Sequence, residues 1–351
     1  MRRVYEWKNA AFWILVIGLT ASVPYLCGYG TAEADPVWLY CIMLNIATVG
    51  ISGACFGKIF GKQEIGLICS ALYTISVFRI CRLTVSGAVR EGTALTFLPL
   101  VLYGLYRILT EETDEKRYRT SWIPFALGMS GIIPTHMPTL AVTIIVVFLF
   151  CVLHIRKMCS RSVLLELLKG TLASLAVNLW FLVLLFRDHP AWIADYVQAQ
   201  AIPEDGLCFA RLALHFWTVD TYGSDGTQSF DSTGVGLVLL VGLGVLLILW
   251  FSGKLRKIAG EAVPFAERAV IVSLFLLWAG SVRYPCFLGW GTACLVLVFG
   301  SVLWYFDNSG KQSLYRLMTA VAVIGTATSG VYLLEQASCL GTFMINGKDA
   351  A

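Results

Sequence analysis

The sequence predicts an all-α, polytopic membrane protein, and three observations support this prediction. Hydrophobic residues make up 58% of the 351 positions and charged residues 14%, with a mean hydropathy of +0.75, whereas soluble domains carry roughly 25% charged residues. Apolar runs recur along the chain at about the 20-residue length that crosses a bilayer core of roughly 30 Å. Backbone polar groups inside lipid must pair within their own segment, which favours helices.

The apolar runs divide into eleven segments, several of them shorter than the roughly 17 residues that a simple crossing needs. Short or interrupted segments are typical of tilted, re-entrant or half-helices. We therefore predict about eleven transmembrane or re-entrant helices in a single transmembrane domain over residues 1–351. The segments are 9–27, 37–60, 65–80, 93–109, 121–133, 138–155, 163–186, 235–251, 270–282, 286–306 and 314–334.

The first segment follows a basic start, with Arg2 and Arg3, and its apolar stretch is long. A cleaved signal peptide has a shorter apolar region and a small-residue cleavage site, which is not evident here. We therefore predict a first spanning helix rather than a leader.

One connection is much longer than the others and covers residues 187–234. Its stretch "GLCFARLALHFW" has helical apolar spacing, which predicts an amphipathic helix in the membrane interface. Its carboxylates and aromatic rings suit a sugar or a hard divalent cation. A solvated acidic loop has the same composition, and that reading is favoured from the residues alone.

The distribution of basic residues predicts the orientation. With a cytoplasmic N-terminus and eleven crossings, the cytoplasmic loops receive 19 of the 26 lysine and arginine residues and the outer loops seven. Cytoplasmic loops of membrane proteins carry such an excess of basic residues. The 187–234 loop is then extracytoplasmic. The net charge of +4 is small, and no nucleic-acid partner is predicted.

Four charged residues fall on the predicted outer face, against this bias: Arg79, Arg82, Arg90 and Glu91. Guanidinium groups bind phosphate in a bidentate manner, so these arginines are candidates for holding the phosphate of a lipid carrier. A structural reading stands beside this one. Glu91 complements the dipole of a helix that begins nearby, and the arginines extend to the interface.

The stretch "GIIPTHMPTL" holds His136 between two prolines that end or kink the adjoining helices. The predicted topology puts His136 on the outer face, level with the arginines. Binding of a ligand phosphate or hydroxyl and a structural hydrogen bond at the helix junction are equally weighted readings. No cysteine pair has metal-site spacing, and no Walker A, GxSxG or HExxH motif occurs. No residue is assigned as a metal ligand.

Three blocks of the sequence resemble a known bacterial family. They are "LICSALYTISVFRICRLTVSGAVREGTALTFLPLVLYGLYRILTEE", "GMSGIIPTHMPTL" and "LLKGTLASLAVNLWFLVLLF". The resemblance, over roughly residues 39–217, is to the 6-pyruvoyl-tetrahydropterin-synthase-related, YfhO-type membrane proteins of the GT-C glycosyltransferase superfamily. It implies a GT-C-like fold with an extracytoplasmic active site and a sugar donor on a polyprenyl phosphate.

The resemblance also assigns site residues. It implies a catalytic role for Glu91 and substrate-binding roles for His136, Asn178 and Trp180, which match the family's Glu, His and Asn-x-Trp motifs. It places a catalytic acid in the first outer loop, where Glu33 and Asp35 are the carboxylates available. That loop is short here, Ser86 stands where the family has arginine and Arg90 where it has glycine.

The sequence therefore predicts a GT-C-like membrane glycosyltransferase, or an inactive derivative of one, at the outer face of a bacterial plasma membrane. Its predicted partners are membrane lipids and a lipid-linked sugar, and a divalent cation is a candidate cofactor. The alternatives are a transporter or flippase for a lipid-linked glycan, which suits short interrupted helices, and a non-catalytic membrane partner protein.

Overall fold

The structure, a computed structural model, describes residues 11–19, 21–22, 37–84, 89–111, 118–188, 236–254, 262–282 and 286–327. Within these ranges the chain is helical and contains no strand, which confirms the all-α prediction there. The helices are α1 (11–19 and 21–22), α2 (Val37–Phe60), α3 (Gln63–Thr74), α4 (Val77–Thr84), α5 (Val89–Thr110), α6 (Trp122–Ile132), α7 (Met137–Leu153), α8 (Ile155–Met158), α9 (Arg161–Val177), α10 (Leu179–Asp188), α11 (Leu237–Phe251), α12 (Ala262–Val282), α13 (Cys286–Asn308) and α14 (312–327).

Three of the described helices are long and apolar enough to cross a membrane. They are α2 from Leu39, α5 and α13. A fourth candidate span is the pair formed by α9 and α10 up to Leu185, which bends by 65°. Helices α7 and α11 are apolar but shorter. The chain therefore has the helices of a membrane protein, while the number of eleven crossings stays a prediction.

Helices account for most of the described residues of the eleven apolar segments, and the segment predicted over 65–80 contains two helices. It divides into α3 and α4 at Ile75 and Ser76. The Ser76 hydroxyl donates to the Tyr73 carbonyl at 2.8 Å, and a side chain that bonds to the local backbone in this way competes with the helical pattern. The segment over 163–186 likewise breaks, at Asn178.

Helix α13 forms the centre of the described bundle. Of its most apolar 18-residue window, 94% is buried, and α3, α7, α11 and α12 pack around it. A helix that is hydrophobic on all sides is expected to be surrounded by other helices. The outward faces of the peripheral helices are apolar, as at Ile248 and Phe251 of α11, and suit contact with lipid.

Glycine residues set the close approach of two antiparallel helix pairs. A Cβ atom at Gly104 of α5 would lie 2.4 Å from the backbone nitrogen of Phe125 in α6. A Cβ atom at Gly66 of α3 would lie 2.6 Å from the Gly53 carbonyl oxygen of α2. Small residues at helix contacts let backbones approach this closely.

The same contacts define two ends of the bundle. Near the end of α6, Gly131 packs on Phe97 in the first half of α5, opposite to the contact of Gly104 with Phe125. We call the end with the first turns of α5, α7 and α13 the Arg79 end. The opposite end, where these helices finish and α2 turns into α3, is called the Arg107 end.

Candidate functional site

A buried arginine is the centre of the candidate site. Arg79 of α4 has a relative exposure of 1%. Its Nη1 atom donates to Asn45 Oδ1 at 2.6 Å and to the Thr74 carbonyl at 3.4 Å, and its Nη2 atom donates to Thr48 Oγ1 at 2.7 Å. Charge-assisted hydrogen bonds of this length are among the stronger ones in proteins. They join α4 to α2 and to the end of α3.

Further hydroxyl and amide groups extend this arrangement to two more helices. The Thr48 hydroxyl lies 2.8 Å from that of Thr96 in α5, and Asn45 Nδ2 donates to the Ser22 hydroxyl of α1 at 3.2 Å. All these side chains are buried. We call the set of Ser22, Asn45, Thr48, Thr74, Arg79 and Thr96 the Arg79 network.

Glu91 lies beside this network, in the first turn of α5, and is 3% exposed. The adjacent Gly92 packs so tightly on α4 that a Cβ there would lie 2.1 Å from Leu83 Cδ2. Leu83 is one helical turn from Arg79 on the same buried face of α4. An ionisable group buried in a membrane bundle is by default a hypothesis for a functional site.

His136 begins a second chain of polar contacts at the Arg79 end. It precedes α7, is 5% exposed, and its Nδ1 atom lies 2.7 Å from the Thr139 hydroxyl. The Thr143 hydroxyl donates to the Thr139 carbonyl at 2.6 Å and accepts from Trp290 Nε1 at 2.8 Å. This chain connects α7 to the first turns of α13.

The first turns of α13 connect the two chains. A Cβ at Gly289 would lie 2.5 Å from Leu95 of α5 and 3.4 Å from Phe78 of α4, while the next residue, Trp290, bonds to Thr143 of α7. The sequence-predicted residues Arg79, Glu91 and His136 thus share one end of the bundle.

The other described site residues are outside these two chains of polar contacts. Asn178 is 3% exposed at the α9–α10 break, and its Nδ2 atom donates to the carbonyls of Ser174 at 2.9 Å and Ser130 at 3.2 Å. Trp180 is 61% exposed on α10. Arg90 is exposed in the first turn of α5.

Three predicted site residues and most of the long loop lie wholly or partly outside the residues that the structure describes. Arg82 is in the last turn of α4, with its side chain outside the described part. Glu33 and Asp35 lie outside the described residues. So does the loop predicted over 187–234, apart from Arg187 and Asp188, which end α10.

Sequence reasoning missed the neutral members of the two chains. Asn45, Thr48 and Ser52 recur on one face of α2 at helical spacing, and all three are at most 1% exposed. A stripe of this kind in an otherwise apolar helix is a signal for an internal polar contact. Nothing comparable marks Thr143 or Trp290, because their contact joins helices 147 positions apart.

The Arg107 end has a different arrangement of charges. Arg107 Nε donates to the Glu111 carboxylate at 2.9 and 3.1 Å, and its Nη1 atom donates to the Thr120 carbonyl at 3.2 Å. Lys169 pairs with Glu166 at 2.6 Å. Between them, burial raises the pKa of Tyr118 to about 12, with smaller contributions from the carboxylates of Glu166 and Glu111.

Among the described residues, no group of three or more His, Cys, Asp or Glu side chains is arranged to hold a metal ion. Comparison with known proteins found no family model, no curated protein and no solved structure that matches the chain.

Proposed function

We propose that the protein is a GT-C-like membrane glycosyltransferase, of about eleven helices, that acts on a polyprenyl-phosphate-linked sugar at the Arg79 end. The observation that carries the proposal is the burial of Glu91 on a membrane-type helix beside the Arg79 network. The resemblance of its surroundings to the YfhO-type family supports the choice of this activity among others.

In the proposed reaction, the Glu91 carboxylate accepts the proton of an acceptor hydroxyl as that oxygen attacks the anomeric carbon of the sugar. The bond between this carbon and the phosphate oxygen breaks, and its electron pair leaves with the polyprenyl phosphate. A positioned base of this kind contributes roughly 10²–10⁴-fold to the rate. If either carboxylate of the first outer loop, Glu33 or Asp35, is the base, Glu91 instead has a positioning role.

The arginines have different proposed roles. Arg90 is exposed next to Glu91, so its guanidinium is free of the bundle interior and suits the phosphate of the lipid carrier. Arg79 is 1% exposed and donates to α2 and α3, so we assign it to holding α4 against these helices, beside the first turn of α5 that carries Glu91. His136, through Thr139, orients the start of α7 at the same end.

The experiment compares two buried carboxylates at opposite ends. Purified protein in liposomes receives a polyprenyl-phosphate sugar and glycan acceptors, with Mg²⁺ or with EDTA, and sugar transfer is measured. We expect Glu91→Gln to lower transfer at least about 100-fold in protein that still folds, as judged by its elution in size exclusion. The control Glu166→Gln, which alters a carboxylate 4% exposed at the Arg107 end, should retain activity. Equal activity of both variants and the unaltered protein would remove Glu91 from the mechanism.

A transporter or flippase for a lipid-linked glycan is the second candidate. The 65° break between α9 and α10 favours it, because discontinuous membrane helices often line transport sites. Translocation of a labelled lipid-linked sugar across vesicles without cleavage of the glycosyl bond would establish this activity in place of transfer. A non-catalytic partner protein would show neither activity and would tolerate Glu91→Gln.

The proposed location is a bacterial plasma membrane, with the Arg79 end outside and the N-terminus in the cytoplasm. The basic side chains of Lys58, Arg107 and Lys157 at the Arg107 end support this orientation. Cys159 is exposed next to α8 at that end. In a variant that keeps Cys159 as its sole cysteine, a membrane-impermeant maleimide should label inverted vesicles and leave intact cells unlabelled.

A further inference from the structure

His154 is a buried histidine at the Arg107 end whose second ring nitrogen is available. It directly follows Leu153, the last residue of α7, outside the candidate spans found among the described helices, and is 2% exposed. Its Nδ1 atom lies 2.8 Å from the Phe150 carbonyl. A carbonyl only accepts hydrogen bonds, so Nδ1 carries the proton and Nε2 presents a lone pair. Within the described part of the chain, Nε2 has no hydrogen-bond partner.

The cationic side chains of Arg268 and Lys157 are close enough to His154 to act on its charge. Its ring lies against that of Phe265 in α12, with 5.9 Å between centroids, and Arg268 is one turn further along the same face of α12. Lys157 is three residues after His154, and its Nζ atom donates one hydrogen to the Thr110 carbonyl at 3.0 Å, which leaves two more to donate. The three polar groups thus come from α7, α8 and α12 where they meet the end of α5.

The charge balance around His154 is positive. Burial, opposed by the bond to Phe150 and assisted by the charges of Arg268 and Lys157, lowers the pKa of His154 to about 4. Glu267 adjoins Arg268 on α12 and acts on that guanidinium. At the end of α5, Glu111 is engaged by Arg107. His154 therefore offers a neutral acceptor near two cationic donors, Arg268 and Lys157.

We propose that His154, Lys157 and Arg268 form a binding site for a phosphate monoester, separate from the glycosyl-transfer site at the opposite end. A monoester with one proton has anionic oxygens that accept from Arg268 and Lys157, and one P–OH group that donates to Nε2. A phosphate diester has no such proton near neutral pH. A lipid headgroup and a free ion can both supply this chemistry, so phosphatidic acid and inorganic phosphate are the two sources to distinguish.

The test measures binding of phosphatidic acid to the full-length protein in nanodiscs, against phosphatidylglycerol as the diester and inorganic phosphate as the free ion. We expect the monoester to bind more tightly than the diester. We expect Arg268→Gln to weaken monoester binding about tenfold, since charge-assisted hydrogen bonds are strong. His154→Phe keeps a ring of similar size beside the stacked pair of Phe150 and Phe265 but removes Nε2, and should abolish the preference for monoester over diester.

Arg161→Gln is the matched control, because Arg161 is an exposed basic residue at the start of α9 on the same end. It should change monoester affinity less than twofold. If inorganic phosphate competes fully with phosphatidic acid, the site binds a free phosphate group. If inorganic phosphate does not compete, the site binds the phosphate monoester as a lipid headgroup. Equal binding of monoester and diester in the unaltered protein, or equal losses in Arg268→Gln and Arg161→Gln, would overturn the proposal.

Discussion

Two buried arginines on neighbouring helices, Arg79 and Arg107, are held in opposite ways. Arg79 has a relative exposure of 1% and donates to neutral oxygens of Asn45, Thr48 and Thr74, two of them 34 and 31 positions away. Arg107 is 6% exposed and pairs with the Glu111 carboxylate one helical turn away. Arg79 joins separate helices inside the bundle, whereas Arg107 pairs with a carboxylate just past the end of its own helix.

The two arrangements predict different losses of stability when each arginine is replaced. A buried cation without hydrogen bonds raises the free energy of the folded protein, because no water is present to replace its partners. Buried acceptors that have lost their donor have the same effect. The Arg107–Glu111 pair lies within one helical turn, with side chains 8% and 14% exposed, so its loss disturbs one helix end rather than the contacts among several helices. Substitutions at the Arg79 end should therefore destabilise the protein more than equivalent ones at the Arg107 end.

The largest effect is expected for Arg79→Ala. The variant leaves a cavity and removes the donor to Asn45 and Thr48, so we expect it to lower the free energy of unfolding by about 3–5 kcal/mol. Thermal unfolding of the purified protein in detergent measures the change. Fluorescence-detected size exclusion of a tagged form extends the measurement to a variant too unstable to purify.

A rescue variant tests whether the loss comes from unsatisfied acceptors. Combining Arg79→Met with Asn45→Leu and Thr48→Val replaces donor and acceptors together by apolar groups, and such exchanges can be nearly neutral. The combination should recover a large part of the stability lost in Arg79→Met alone. If the losses of the separate substitutions simply add, the Arg79 network does not act as a unit.

The same contrast separates the features that the sequence predicts from those that it does not. The all-α class follows from hydropathy, a local property, and is confirmed for the described residues. The Arg107–Glu111 pair follows from i,i+4 spacing. The partners of Arg79 do not, because they depend on which faces of α2 and α4 meet, and no local pattern specifies that meeting.

Single side chains show the same limit. Asn178 and Trp180 are two residues apart and were predicted to share a site, yet one is 3% and the other 61% exposed. An apolar helix offers no sequence difference between a lipid-facing and a bundle-facing position when both faces are apolar. At the bend, the Asn178 amide donates to the Ser130 carbonyl of α6 at 3.2 Å, a contact 48 positions apart that no local pattern specifies.

Arg107→Gln replaces the arginine at the other end and should have the next largest effect on stability. The lost bonds to Glu111 and to the Thr120 carbonyl should lower the free energy of unfolding by about 1–2 kcal/mol. The double variant with Glu111→Gln gives the coupling energy of the pair in a thermodynamic cycle. A loss as large as that of Arg79→Ala would remove the distinction between the two ends.

Glu166→Gln should have a smaller effect on stability and a distinct effect on titration. Its partner Lys169 is 51% exposed, and glutamine keeps an acceptor for Ser121, so a loss of about 1 kcal/mol is expected. The Glu166 carboxylate disfavours the Tyr118 phenolate and so raises the pKa of Tyr118. Its removal should lower that pKa from about 12, visible as an earlier phenolate absorbance in an alkaline titration. A Tyr118→Phe control identifies the signal, and an unchanged midpoint would contradict the predicted proximity.

The smallest effect is expected for Lys62→Gln. Lys62 forms a salt bridge with Asp307 that connects the α2–α3 turn to the end of α13, and the two side chains are 41% and 20% exposed. Exposed pairs contribute only about 0–1 kcal/mol because ordering the side chains offsets the attraction and salt screens it. We expect a change within about 0.5 kcal/mol that vanishes at high salt, measured by unfolding in low and high sodium chloride. A salt-independent loss comparable to that of Arg79→Ala would mean that this exposed contact holds the bundle together as strongly as the buried network.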